Sequence, residues 1–211
     1  MTRAATKPRG VSNRARRRSQ KAASHRRRII GLVSTGVAVA VIAAVLALHF
    51  VNHQSGSTTS VAPVVGEVAP NASFRTLSGS NVEVASLRPH PTLLWFVSTW
   101  CSSCQAGTQS VAQNISALRR DGVRVDEVEL YKDLGQSGPS MSQFARVLAG
   151  PEATNPDWSF GTSSLQMTRT YDPSGYLDIY YLLDSHGRVT YVNSSPGSTM
   201  PQLLAAARNL P

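Results

Sequence analysis

Cys101 and Cys104 are the only cysteines in the chain of 211 residues, and they stand three apart in "FVSTWCSSCQAG". Such a pair can be a redox centre, half of a metal site or a structural staple. Two cysteines three apart at a helix start lie on one turn, close enough to form a disulfide with little backbone movement. The free N–H groups and positive dipole end of a helix N-terminus favour a thiolate there. A structural zinc site needs about four ligands, and no second cysteine pair exists. His49, His53, His90 and His186 show no ligand-like spacing with the cysteines. A staple across so short a loop stabilises little. The redox reading is the one that uses every feature of the stretch.

The helix that must follow assigns the two sulfurs different roles. Cys104 shares a face with Val111, Ile115 and Leu118, so it is expected to be shielded and to act as the resolving thiol. Cys101, at the helix tip, is expected to be exposed and to be the nucleophile that forms a mixed disulfide. Trp100 is expected beside the site, on the partner-docking surface. Ser102 and Ser103 fill the positions between the cysteines.

The elements that would hold this pair alternate between strand and helix from Gly66 onward, which predicts an α/β domain over residues 66–211. "NASFRTLSGSNVEVASL" reads as a hairpin turning at Ser78-Gly79. "TLLWFVS" is a continuous apolar run suited to a strand buried on both faces. The helix from Cys101 stops at Gly122. "VRVDEVELY" reads as a second strand and "SMSQFARVLAG" as a helix. "DIYYLLD" and "RVTYVNS" read as strands joined by a turn at "SHG". "MPQLLAAARNL" closes the chain as a helix with Leu203, Leu204, Ala207 and Leu210 on one face.

Charge locates the domain. The net charge is +9, yet residues 1–28 contain eleven Lys or Arg and no acid, while the remainder carries ten basic against twelve acidic residues. The basic run stands before an apolar segment, which argues against nucleic acid as its partner. That segment, residues 29–51, has no charged residue and is long enough to span ~30 Å of hydrocarbon at ~1.5 Å per residue. It is longer than a cleavable signal core of ~7–15 residues. Arg26, Arg27 and Arg28 keep the N-terminus in the cytoplasm by the positive-inside rule. The expected order is a basic cytoplasmic tail (1–28), a single transmembrane helix (29–51), a Ser/Thr/Gly/Pro-rich tether (52–65) and the exported domain (66–211).

Three stretches together resemble the membrane-anchored TlpA/ResA-like thioredoxins: "GEVAPNASFRTLSGSNVEVASL", "TLLWFVSTWCSSC" and "YLLDSHGRV". The resemblance runs from about Gly66 to the C-terminus. It implies a thioredoxin-like fold, a central mixed sheet flanked by helices, and thiol-disulfide exchange with exported proteins, as in reduction of apocytochromes or of other exported disulfides. It further implies electrons delivered by a transmembrane thiol carrier, and no metal or cofactor beyond the Cys101–Cys104 disulfide.

The departures from the family pattern surround the cysteines. The family's cis-proline position, just before the strand ending in Leu-Ile-Asp, holds Asp178 here, and the nearest proline is Pro173. Either Pro173 serves in a rearranged loop or the proline is missing. Asp178 is then either a charge that disfavours a nearby thiolate, or accepts a thiol proton, or a solvated loop residue. Trp95 stands where cytosolic thioredoxins carry an Asp, Gly107 where some relatives carry a Glu, and Gln109 where a proline kinks the helix. No base for Cys104 is identifiable by position. The Ser102-Ser103 pair lacks the histidine of strong oxidants, which leans toward a reductant. A peroxidase of the peroxiredoxin type is disfavoured because no proline stands seven residues before Cys101. Copper delivery is disfavoured because the cysteines are one residue too close. A non-catalytic binding module or chaperone on the same fold is the alternative from another class.

Overall fold

The computed structural model describes residues 62–211. The tail, the apolar run 29–51 and most of the tether lie outside the described residues. Among the described residues no helix is long and apolar enough to cross a membrane.

Seven strands form one mixed sheet. They are β1 (Ser73–Thr76), β2 (Asn81–Glu83), β3 (Thr92–Val97), β4 (Arg124–Glu129), β5 (Trp158–Ser163), β6 (Ile179–Leu183) and β7 (Val189–Ser194), in spatial order β2-β1-β5-β4-β3-β6-β7. The helices are α1 (Ser102–Arg120), α2 (Met141–Leu148), α3 (Leu165–Tyr171) and α4 (Pro196–Arg208). β3, β4 and β5 run parallel; β6 returns antiparallel on the other side of β3.

The apolar run of β3 is buried at all six positions because both faces of the sheet are covered. Alternation splits it. Leu93, Trp95 and Val97 face the layer of α1, α2 and α4, among Cys104, Val111, Ile115, Phe144 and Leu203. Leu94 and Phe96 face a second core with Phe74, Val128, Met167, Tyr171 and Tyr181. α1 is a continuous 19-residue helix with no kink at Gln109.

The expected hairpin, the strands β3, β4, β6 and β7, and α1 and α2 are all present. The last helix starts at Pro196, ahead of the expected start, and has Pro201 inside it. Leu203 and Ala207 are buried; Leu204 and Leu210 are only half-buried. β5 and α3 were not anticipated. β5 reads "WSFGTS", with two serines, a threonine and a glycine, and lacks the apolar run that marks a buried strand. Its place between β1 and β4 selects it, overriding local propensity.

Candidate active site

β3 ends at Val97, and a short loop delivers Cys101 as the N-cap of α1. The Cys101 sulfur accepts the Cys104 backbone N–H at 3.2 Å and lies 3.1 Å from the Ser103 hydroxyl. As an N-cap it turns over the first helical turn, so Cys101 is 5% exposed and not the exposed tip expected. Cys104 is fully buried, and both cysteines are free thiols. Burial pushes the Cys104 thiol strongly up, with the Asp178 charge adding to it. Ser102 and Ser103 are exposed.

Asp178 is fully buried, immediately before β6, in left-handed backbone at φ 69°. Its Oδ1 accepts the Trp95 indole N–H at 2.9 Å, and its carbonyl accepts Ser195 N–H at 2.9 Å. Oδ2 makes no hydrogen bond of ordinary length among the described residues. Burial pushes the Asp178 carboxyl up to about 6, opposed by the Trp95 indole and the Ser103 and Ser195 hydroxyls. The position is therefore not that of a solvated loop residue. Pro173 is exposed on the loop before it, and its peptide is not cis; among the described residues the one cis bond is Arg88–Pro89.

Trp95 and Gly107 explain each other. The Trp95 ring lies flat enough against α1 that a Cβ on Gly107 would stand 2.7 Å from Trp95 Cζ2 and 2.9 Å from Cη2. Both residues looked like losses of a family acid; together they build a seat for the indole that holds Asp178.

A second clamp holds the loop ahead of the cysteines. Asp133 Oδ1 accepts Thr99 N–H at 2.8 Å, its Oδ2 accepts the Thr99 hydroxyl at 2.6 Å, and its carbonyl accepts the Trp100 indole N–H at 2.9 Å. Trp100 is thereby fixed while remaining 38% exposed. Asp133 sits in an unusual turn, with Lys132, Asp133 and Leu134 at φ 51°, 52° and 56°. Left-handed backbone costs roughly 1–2 kcal/mol per non-glycine residue, and such strain persists where surrounding contacts over-determine it. Gly138 closes the clamp, since a Cβ there would stand 2.2 Å from Thr99 Oγ1.

One more acid lies in the same compartment. Glu127 of β4 is fully buried and pairs in register with Trp95. Thr108 Oγ1 lies 2.7 Å from its Oε1. Burial pushes its carboxyl up to about 8. Sequence reasoning missed both Glu127 and Asp133. For Glu127 a signal existed: Val123 and Val125 put residue 127 on the same face by parity. For Asp133, in "YKDLG", none did. Among the described residues no group of three or more His, Cys, Asp or Glu could hold a metal ion.

No protein-family model matches the chain, and no curated protein matches it. Solved structures do share its fold. A thioredoxin-like protein from Aeropyrum pernix superposes with a TM-score of 0.53 at 16% identity, covering 66% of this chain and 89% of that one. A protein assigned as thiol:disulfide interchange protein DsbE from Chlorobium tepidum gives 0.52 at 18%, covering 69% and 99%. A secreted Mycobacterium tuberculosis disulfide oxidoreductase homologous to E. coli DsbE gives 0.50 at 20%, covering 68% and 97%. With β3 running into a cysteine pair at the N-terminus of α1 and the sheet closed by the β6–β7 hairpin, residues 62–211 have a thioredoxin-like fold.

Proposed function

We propose that the protein is a thiol-disulfide oxidoreductase, anchored by residues 29–51 with its thioredoxin-like domain outside the cytoplasm and acting on exported proteins. The observation that carries the reading is the cysteine pair itself. Cys101 caps α1 and accepts the Cys104 N–H, and Cys104 lies buried one turn behind it. The fold neighbours described as disulfide oxidoreductase and interchange proteins support it.

In the reductive direction the Cys101 thiolate attacks a partner disulfide. A Cys101–partner S–S bond forms, the partner S–S bond breaks, and one partner sulfur leaves as a thiolate that takes a proton from water. Cys104 then gives its proton to the Asp178 carboxylate and attacks the Cys101 sulfur. The Cys101–Cys104 bond forms, the mixed disulfide breaks, and the second partner sulfur leaves and takes a proton. The pair is oxidised by two electrons and the partner disulfide is reduced. Because burial raises the Cys104 thiol, this step needs an acceptor, and Asp178 is the charge that acts on it. A transmembrane thiol carrier on the same membrane would return the electrons.

Trapping with Cys104→Ser tests the reading: stable mixed disulfides on Cys101 are expected, and their partners name the substrates. Insulin reduction no faster than by the Cys101→Ser variant, with no trapped partner, would leave the fold as a non-catalytic binding module.

A further inference from the structure

Glu127 is a fully buried acid, paired with Trp95 on the cysteines' side of the sheet, that the exchange steps above do not use. Its hydrogen-bond partner is a hydroxyl and not a cation. Its Oε2 and the Trp158 indole N–H make no hydrogen bond of ordinary length among the described residues, yet the indole lies near enough to favour the Glu127 charge. The unusual feature is Thr108. Its Oγ1 lies 2.7 Å from Glu127 Oε1 and 3.0 Å from the carbonyl oxygen of Cys104.

A threonine hydroxyl has one hydrogen to give, and a carbonyl or an ionised carboxylate can only accept. Two acceptors would then compete for one proton. Both short contacts become full two-centre hydrogen bonds at once only when the proton is on Glu127; otherwise one hydrogen is shared between two acceptors and each bond is weaker. The carboxylic acid then donates to Thr108, and Thr108 donates to the Cys104 carbonyl.

We propose that Glu127 is a positioning residue that holds a proton in the reduced protein and ties that proton, through the Thr108 hydroxyl, to the backbone of Cys104. Desolvation disfavours the Glu127 charge and outweighs the Thr108 and Trp158 hydrogen bonds that favour it, and Asp178, the charged group acting on it, is of like sign. The neighbours facing it are Thr108 and Cys104 from α1, Trp95 from β3, Trp158 and Phe160 from β5, and Asp178 ahead of β6, with Tyr180 lining the same face.

The consequence for exchange rests on the proposed function. With Glu127 neutral, it adds no charge against the Cys104 thiolate that forms as Asp178 takes the proton, and the hydroxyl bonds the Cys104 carbonyl. When Glu127 loses its proton to water, its own negative charge opposes that thiolate and the passage of the proton to Asp178. Thr108 turns to the carboxylate, and the Cys104 carbonyl loses that bond. Closure of the Cys101–Cys104 disulfide is then slowed as Glu127 ionises, around the pH of about 8 at which its carboxyl titrates.

The test has two arms on the full-length reduced protein. Infrared difference spectra of wild type against Glu127→Gln read the proton directly and need no enzymatic activity. A protonated carboxyl carbonyl band is expected at neutral pH, absent from the variant and bleaching as the pH rises through about 8. No such band at neutral pH overturns the proposal. If Glu127→Gln does not fold, Thr108→Val keeps the acid and removes its acceptor; the band must shift, and an unshifted band overturns the coupling.

The second arm follows single-turnover reduction of an aromatic disulfide whose released thiolate is coloured. Wild type and Glu127→Gln should match in mild acid, and the variant should be faster by about threefold in mild alkali, the effect of one like charge removed from a partly screened site. Equal profiles overturn the link to Cys104. If neither protein reduces the disulfide, the oxidoreductase reading fails, while the infrared arm still decides where the proton is.

Discussion

Asp178→Asn should make the protein more stable and its chemistry worse. The Asp178 carboxyl is fully buried, and burial raises it from 3.8 to about 6. A rise of about two units at ~1.36 kcal/mol each means that ionised Asp178 costs the fold about 3 kcal/mol relative to its neutral form. The sign follows from the raised value. Stability from the neutral form is fully present below about pH 3.8 and is lost as the pH rises through about 6. Asparagine keeps an oxygen for the Trp95 indole, tolerates left-handed backbone and never ionises. Its amide N–H has only the Ser103 and Ser195 hydroxyls to turn to, and a poorly made bond there costs about 1 kcal/mol at every pH. The net gain at neutral pH is about 1–3 kcal/mol. Urea unfolding of both reduced proteins across mild acid to neutral pH measures it. The stability difference should grow with pH through about 6 and then level off. A difference independent of pH would refute the reasoning, whatever its size. Disulfide closure in the variant should slow by tenfold or more, the ordinary weight of a proton acceptor.

Two further outcomes follow from the packing around the site. Gly107→Ala drives a methyl to 2.7 Å from Trp95 Cζ2, so overpacking should cost about 1–3 kcal/mol in the denaturation midpoint with an unchanged m-value; a loss under about 0.5 kcal/mol would mean the ring is not seated as described. Asp133→Ala removes both acceptors of Thr99 while keeping the left-handed turn, and should cost about 2–4 kcal/mol in thermal unfolding and slow exchange; full stability would refute the clamp.

The parts of this molecule that were legible in the sequence are those governed by local rules. The six-residue apolar run of β3, the cysteine spacing and the inward face of α1 each carry a period or a composition that points one way. The site's acids were harder. Asp178 could be placed by counting back from Asp184, but its burial depends on Trp95, 83 residues away, which no local pattern encodes. Trp95 and Gly107 were read as two separate losses, because the close approach of ring to helix that joins them exists only in three dimensions. Glu127 was hidden by the break in alternation after Val125, since a buried acid looks like an outward-facing one. β5 escaped for the opposite reason: tertiary pairing, not its own residues, makes it a strand.

The strand order also sets a timetable for synthesis. β1 finds its place in the sheet only through β5, with Phe74 opposite Ser163. β4 likewise has no partner on that side until β5 is made. At ~5–20 residues per second, the stretch of about 90 residues between them takes several seconds to translate. Throughout that interval the nascent chain carries a hairpin whose Phe74 has no core to enter and, in β4, an open strand edge, the feature that invites aggregation. A chaperone of extended apolar segments has its window between the emergence of Thr76 and that of Ser163.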